Sequence, residues 1–84
     1  MEGTLDIWEG YFSGWKSLFV TLFNNHLILS DHKGGNLKGK IPLTDIRIEP
    51  KSERDTKFNL YTGLQTWELN ARDIRDKVRW LNAM

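Results

Sequence analysis

The chain of 84 residues contains no cysteine, which excludes disulfides, thiolate metal sites and cysteine nucleophiles. It has no apolar run approaching the roughly 20 residues of a membrane-spanning helix, and its first residues lack the basic-then-apolar pattern of a signal peptide. It also lacks glycine-rich phosphate loops, Ser/His/Asp arrangements and metal-ligand spacings. We therefore expect a non-enzymatic protein without cofactor or metal, and the lack of cysteine suits a reducing, cytoplasmic setting.

The chain also lacks a strong excess of charge of either sign. Its 12 basic and 11 acidic residues leave a net charge of +1, whereas a nucleic-acid-binding domain normally has a larger basic excess. Nucleic acid is therefore not an expected partner. The charge is unevenly divided, since residues 1–32 carry a net −3 and residues 33–84 a net +4. An anionic surface would meet mainly the second part of the chain.

Short segments with alternating apolar residues make up the first seventy residues. Turn residues separate them at intervals of roughly 8–12 residues, which indicates a mainly β sandwich or barrel. Asn24-Asn25 and Gly63-Leu64 are the predicted tight turns, since asparagine and glycine tolerate positive φ. The predicted strands are Thr4–Tyr11, Trp15–Leu22, His26–Ser30, Lys38–Pro42, Asp45–Glu49, Lys57–Thr62 and Gln65–Asn70.

The apolar period changes after the last predicted strand. Ile74, Val78 and Leu81 recur at helical spacing, with Trp80 beside them, which predicts an α-helix with an apolar stripe. Asp73 stands where an N-cap is expected. A helix with such a stripe has to bury it, so we expect the helix to pack its stripe against the open end of the barrel.

The segment Glu9–Lys16 (EGYFSGWK) places Tyr11 and Phe12 between Gly10 and Gly14. Turns usually carry small polar residues, because the backbone of a turn is exposed and bends sharply. The two aromatic side chains either fold back onto their own strands or are offered to a surface outside the domain. A tyrosine beside a phenylalanine suits the membrane headgroup boundary, which is wet on one side and apolar on the other.

The order of seven strands and a Trp-bearing C-terminal helix resembles a pleckstrin homology domain. The helix carries the pattern W-L-x-A-Φ, where Φ is apolar, in residues 80–84. Residues 1–15 fit MEG-x-L-x-x-W-x-x-Y-Φ-[ST]-G-W and resemble the Golgi-directed subgroup of oxysterol-binding, ceramide-transfer and four-phosphate-adaptor proteins. The segment Lys38–Leu43 (KGKIPL) is similar to the K-G-S-I-x-L strand of that family. The resemblance spans residues 1–84, which we interpret as one domain that can belong to a longer protein.

The resemblance implies a barrel of two nearly orthogonal antiparallel sheets capped by the C-terminal helix. It also implies reversible binding to inositol phospholipids in an anionic membrane surface, with phosphatidylinositol 4-phosphate as the first candidate and the Golgi as the first candidate membrane. The headgroup would bind at the open end while the turn between the first two strands inserts into the bilayer. The site residues carried over are Lys16, Lys38 and Lys40 for the headgroup, and Tyr11 and Phe12 for insertion.

Two positions depart from the pattern of that subgroup. Basic residues usually precede the Trp of the first strand and follow the Trp of the second by three positions, but here these positions hold Ile7 and Leu18. Alkyl chains cannot supply charge-assisted hydrogen bonds to phosphate, and each lost contact costs on the order of 1.5–3 kcal/mol. The alternative function is therefore a protein–protein interaction module with a degenerate lipid pocket. Lys33 and Arg47 are further candidate cations, and all these basic residues could instead form a solvated face.

Overall fold

The computed structural model describes residues 1–52, 54–63 and 65–84, which form an antiparallel β structure followed by one helix. This confirms the predicted mainly β class with a C-terminal α-helix. Among the described residues, no helix is long and apolar enough to cross a membrane. The elements are β1 (Glu2–Trp8), β2 (Trp15–Phe23), β3 (His26–Ser30), β4 (Leu37–Pro42), β5 (Ile46–Glu49), β6 (Lys57–Thr62), β7 (Gln65–Asn70) and α1 (Ile74–Ala83).

Backbone hydrogen bonds join the seven strands into one sheet in the order β4-β3-β2-β1-β7-β6-β5. The β1–β2 ladder contains seven residue pairs, whereas the β1–β7 ladder contains two, Asp6↔Asn70 and Ile7↔Leu69. The resemblance implied two sheets, but the ladder runs continuously through this narrow junction. Because the ladder is so short, β1 and β7 separate towards one end of the barrel, and this separation positions the candidate site.

The local turn signals place most of the strands correctly. Asn24 and Asn25 have φ angles of 50° and 59°, as expected for a two-residue hairpin turn, and they connect β2 to β3. The bounds of β3, β6 and β7 are the predicted ones. Leu64, the second residue of the predicted Gly63-Leu64 turn, lies outside the described residues.

The prediction for the first strand is wrong at both ends. The strand was expected over Thr4–Tyr11 and instead spans Glu2–Trp8. It starts earlier because its pairing with β2 extends to Glu2↔Thr21. It ends earlier because Gly10 adopts a φ of +109°, which is incompatible with extended backbone, so Tyr11 belongs to the following turn.

Alternating residues of the strands fill a single apolar core. Leu5 and Ile7 of β1 and Leu18 and Val20 of β2 form inward rows and are all buried, and Leu22, next in the β2 row, is partly buried against the same core. Burial of these branched side chains supplies most of the stabilisation available to so small a domain. The largest fully buried side chains are Trp80, Phe58, Leu5, Leu27, Ile41, Leu60, Leu69 and Val20.

Helix α1 begins as predicted. The carboxylate of Asp73 accepts a hydrogen bond of 2.7 Å from the backbone N–H of Asp76, which satisfies one of the free donors in the first turn. Trp80 of the same helix is fully buried and packs over the start of β1, where a Cβ at Gly3 would lie 3.5 Å from the Trp80 ring. The helix therefore covers the end of the barrel at which β1 begins and leaves the opposite end open.

The predicted burial of the apolar stripe on α1 is wrong for Ile74 and Val78, whereas Leu81 is partly buried and packs against the core. Ile74 and Val78 are 40% and 48% exposed, while Asp76 and Lys77 are buried beside Trp80. Charged residues can occupy the inner face here because each has partners. Asp76 accepts from the guanidinium of Arg79 at 2.8 Å, and the Lys77 ammonium donates to three backbone carbonyls. The helix is thus rotated away from the orientation that the apolar period predicts.

Candidate functional site

The turn between β1 and β2, residues 9–14, is a compact loop at the open end of the barrel. The N–H of Glu9 donates to the carbonyl of Gly14 at 2.9 Å, and the N–H of Gly14 donates to the carbonyl of Gly10 at 2.8 Å. Gly10 and Gly14 have φ angles of +109° and +66°, which glycine adopts without steric cost. The glycines therefore close the loop and hold residues 11–13 away from the strands.

Tyr11 and Phe12 occupy the tip of this β1–β2 turn. Their side chains are 95% and 102% exposed, so the interpretation that they fold back onto their own strands does not hold in this structure. Single exposed apolar residues are ordinary on protein surfaces, but two adjacent exposed aromatic side chains at one projecting turn are characteristic of an interaction site. The arrangement presents an apolar wedge with a polar hydroxyl at one side.

The β1–β2 turn rests on a pair of tryptophans. Trp8 and Trp15 are directly opposite in the β1–β2 ladder, and their rings meet edge to face with centroids 5.4 Å apart. Lys57 of β6 places its Nζ 5.9 Å from the centroid of the Trp15 ring. Aromatic pairs of this geometry add to the stability of a ladder, so the base of the turn is held firmly below its apolar tip.

Next to this turn lies a cleft of about 360 Å³, here termed the mouth cleft. It opens where β1 and β7 separate beyond their last ladder pair, Ile7↔Leu69, and it extends across the barrel to β4. Buried aliphatic side chains form its floor, and polar and charged residues stand around them. The residues that line the mouth cleft are Ile7, Trp8, Glu9, Leu18, Leu29, Lys38, Gly39, Lys40, Gln65, Thr66 and Trp67.

Two of the three predicted headgroup lysines line this cleft. Lys38 and Lys40 are both exposed on β4, and they flank Gly39, which pairs with Leu29. The register shifts at this point, so that Ser30 pairs with Leu37 and Lys38 is the extra residue of a bulge. Bulges redirect side chains at barrel rims, and the extra residue of this bulge, Lys38, lines the cleft.

The third predicted lysine lies beside the mouth cleft. Lys16 pairs with Ile7 in the β1–β2 ladder and is exposed. Of the further candidates, Lys33 forms an ion pair of 3.0 Å with Glu2, and Arg47 stacks on the ring of Tyr61 with its Cζ 4.5 Å from the centroid. These two cations are engaged elsewhere, so Lys38 and Lys40 provide the positive charge of the cleft lining.

The floor of the cleft contains the two departures from the family pattern. Ile7 and Leu18 are buried, and both line the cleft. A phosphate placed over them would find no donor on their side chains, so its hydrogen bonds would have to come from the rim. Glu9 is also a lining residue, and its negative charge disfavours an anion nearby. The cleft is therefore amphipathic rather than uniformly basic.

Gln65, Thr66 and Trp67 were not predicted as lining residues. All three belong to β7 and reach the cleft because β7 pairs with β1, a contact between distant parts of the chain that no local signal reveals. The indole N–H of Trp67 is buried without a hydrogen-bond partner among the described residues. Within the same described residues, no group of three His, Cys, Asp or Glu side chains is arranged to hold a metal ion.

Comparison with known proteins identifies the family. A model of the PH domain matches residues 1–84. Human pleckstrin homology domain-containing family A member 8 is 33% identical over 90 aligned residues, which cover 100% of this chain and 17% of that protein. Human oxysterol-binding protein-related protein 9 is 27% identical, with 100% of this chain and 12% of that protein covered. This chain therefore spans less than a fifth of the length of either relative.

A solved structure shares the fold. The PH domain of human oxysterol binding protein-related protein 11 superposes with a TM-score of 0.84 at 18% sequence identity, covering 99% of this chain and 74% of that one. At this identity the likeness concerns the fold alone, and it agrees with the seven-stranded sheet and C-terminal helix described above. Since the family model covers every residue of the sequence, the chain belongs to the PH domain family.

Proposed function

We propose that this PH domain is a peripheral membrane-targeting module that binds inositol phospholipid headgroups. PH domains are in general binding modules for lipids or proteins, and the finer assignment rests on one observation. The fully exposed pair Tyr11 and Phe12 projects from the same end of the barrel as the lysine-lined mouth cleft. An apolar wedge beside a cationic rim matches the layered chemistry of an anionic membrane surface.

In this proposal the two parts of the site act together. Transfer of one phenylalanine out of water contributes ~1.5–3 kcal/mol, which is too little to hold a protein on a membrane by itself. Lys38 and Lys40, with Lys16 beside them, add electrostatic attraction to the lipid phosphates. Phosphatidylinositol 4-phosphate is the first lipid to test, and Golgi membranes, from their cytoplasmic side, are the proposed location.

A second candidate function follows from the floor of the cleft. Ile7 and Leu18 make the centre of the mouth cleft apolar, where a phosphate-binding pocket needs donors. Such a cleft is also suited to an apolar side chain of a protein partner, with Lys38 and Lys40 meeting acidic residues around it. In that case the domain is an interaction module and its affinity for inositol phospholipids is negligible.

Vesicle binding distinguishes the two candidates. Phosphatidylcholine vesicles with and without phosphatidylinositol 4-phosphate, and then each other inositol phospholipid, are mixed with the domain and sedimented. The membrane proposal expects the protein to pellet only with vesicles that contain an inositol phospholipid. Equal binding to neutral vesicles, or binding to neither kind, contradicts it, and absence of binding throughout the panel favours the protein-interaction alternative.

A further inference from the structure

Helix α1 leaves an apolar groove on the surface of the domain, away from the mouth cleft. This helix groove is lined by Pro50, Ile74, Lys77, Val78 and Leu81 and has a volume of about 350 Å³. Such a volume is at the lower end of the range for small-ligand pockets, about 300–1,000 Å³. It suits a few apolar side chains better than a cofactor.

The groove is held open by the buried Lys77. Its Nζ donates to the backbone carbonyls of Pro50, Ser52 and Asp55 at 2.5, 2.8 and 2.6 Å. The ammonium group is thereby turned towards the chain segment after β5, so the aliphatic stem of Lys77 contributes to the groove wall. These three bonds fix Pro50 opposite the helix. The groove is consequently formed before any partner arrives, which lowers the entropic cost of docking.

One exposed cation of the helix, Arg75, stands at the edge of this groove. Arg72 and Arg79 are exposed too, but both pair with the buried carboxylate of Asp76, at 3.8 and 2.8 Å, and the N-cap residue Asp73 is exposed at the start of the helix. Among the described residues, no carboxylate lies within ion-pair distance of Arg75. Arg75 follows Ile74 directly and precedes Val78 by three positions, so it flanks the apolar stripe.

We propose that the helix groove docks an acidic amphipathic helix of a partner protein. Apolar residues of the partner at i, i+3 or i+4 and i+7 would fill the space between Val78 and Pro50, and carboxylates beside them would meet Arg75. A second copy of this domain is a poor occupant. A two-fold interface places the same patch on both sides, which would give Arg75 of each copy an apolar groove and no carboxylate to pair with.

The position of the groove allows it to work while the domain is bound to a membrane. Helix α1 covers the end of the barrel near Gly3, and the β1–β2 turn begins at Glu9. At about 3.3 Å per residue these ends of β1 are roughly 20 Å apart. A membrane at the turn therefore leaves helix α1 roughly 20 Å from the bilayer, where a partner could join the domain to a second protein.

Fluorescence anisotropy with labelled synthetic peptides tests this inference. The probe is a helical peptide with leucines at i, i+3, i+4 and i+7 and glutamates beside them. Two matched peptides replace either the glutamates by glutamine or the leucines by serine. We expect the acidic leucine peptide to bind the domain, and each matched peptide to bind at least about tenfold more weakly.

Variants of the domain assign the binding to the groove. Val78→Ser and Arg75→Glu should each weaken the acidic peptide about tenfold, and Arg75→Glu should also favour a peptide with lysines in place of glutamates. Both residues are exposed, so circular dichroism should show folded variants. Phe12→Ser is the matched control, because it removes an exposed apolar side chain from the other end and should leave peptide binding unchanged.

Three outcomes would overturn the inference. The first is failure of the acidic peptide to bind, or binding that Val78→Ser and Arg75→Glu leave unchanged. The second is a concentration-dependent dimer in sedimentation equilibrium that Val78→Ser abolishes, which would assign the groove to a second copy. The third is loss of vesicle binding in Val78→Ser, which would assign it to the membrane. The first two outcomes are read without vesicles, so they test the groove even if the wild-type domain binds no membrane.

Discussion

Ile7 and Lys16 are directly opposite each other in the β1–β2 ladder, so their side chains leave the sheet on the same face. Ile7 is buried, whereas Lys16 is exposed. The pair marks the level at which the apolar interior of the barrel gives way to solvent. One step further inward, Leu5 pairs with Leu18. The open end of this domain therefore has cations at its rim above an aliphatic floor.

Replacing the floor by cations should strengthen phosphate binding. We expect Ile7→Lys/Leu18→Arg to raise the affinity for phosphatidylinositol 4-phosphate vesicles by about 100-fold or more, since each of the two charge-assisted hydrogen bonds is worth on the order of 1.5–3 kcal/mol. Both side chains are long enough to keep their charged heads at the mouth while their stems stay on the floor. Vesicle titration followed by sedimentation measures the change.

The control for this variant adds the same charge elsewhere. Thr4→Lys/Thr44→Arg places two cations at exposed positions outside the mouth cleft. If both double variants gain the same vesicle affinity, the added net charge causes the gain and the position of the cations does not matter. If Ile7→Lys/Leu18→Arg binds no better than the wild type while its circular dichroism spectrum is native, the aliphatic floor does not limit lipid affinity.

The aromatic tip of the β1–β2 turn should contribute to membrane binding and not to folding. Phe12→Ser is expected to weaken vesicle binding by about tenfold or more, because burial of a phenylalanine contributes ~1.5–3 kcal/mol. Its melting temperature should stay at the wild-type value, since the side chain is fully exposed. Phe23→Ser is the matched control, as Phe23 is 61% exposed at the far end of β2. If Phe12→Ser and Phe23→Ser weaken vesicle binding equally, exposed aromatic residues anywhere on the domain adhere to the vesicles and the turn has no special role.

The rim lysines should act through local charge. We expect Lys40→Glu, and likewise Lys38→Glu, to weaken vesicle binding several-fold at low ionic strength, and the difference from wild type should shrink as salt screens the attraction. Arg75→Glu changes the net charge by the same amount on the exposed face of α1, far from the turn. Titrations at two salt concentrations compare them. A loss in Arg75→Glu equal to that in Lys40→Glu would refute a site at the mouth.

The parts of the fold that could be predicted from the sequence are those fixed by neighbouring residues. The Asn24-Asn25 turn and the Asp73 cap depend on local backbone chemistry, and both are confirmed. The end of the first strand was misjudged because Tyr11 favours strands while Gly10 bends the chain before it. There the backbone freedom of one glycine outweighs the preference of the aromatic residue.

The helix face and the β7 side of the mouth cleft could not be predicted, since both depend on distant contacts. The apolar period selects Ile74 and Val78 for burial. Lys77 lies on the inner face instead, because the backbone carbonyls of Pro50, Ser52 and Asp55 accept hydrogen bonds from its ammonium group. A pattern of side-chain polarity does not contain such partners. In the same way, Thr66 reaches the cleft only through the pairing of β7 with β1.

The buried Lys77 leads to a prediction about stability. Lys77→Met keeps an unbranched side chain of similar length and removes the ammonium group, which leaves the carbonyls of Pro50, Ser52 and Asp55 without their donor. A hydrogen bond to a charged group contributes about 1.5–3 kcal/mol, so we expect the free energy of unfolding to fall by about that amount. Urea denaturation should show a lower midpoint with an unchanged slope.

Lys51→Met is the control from the same chain segment. Lys51 forms a surface ion pair of 3.7 Å with Glu68, and such exposed pairs are typically worth less than about 1 kcal/mol. We therefore expect Lys51→Met to lower the free energy of unfolding much less than Lys77→Met. Equal effects of the two substitutions would mean that the three carbonyl contacts do not stabilise the fold. Apolar packing alone would then have to hold Pro50 opposite α1, and the shape of the helix groove depends on that position.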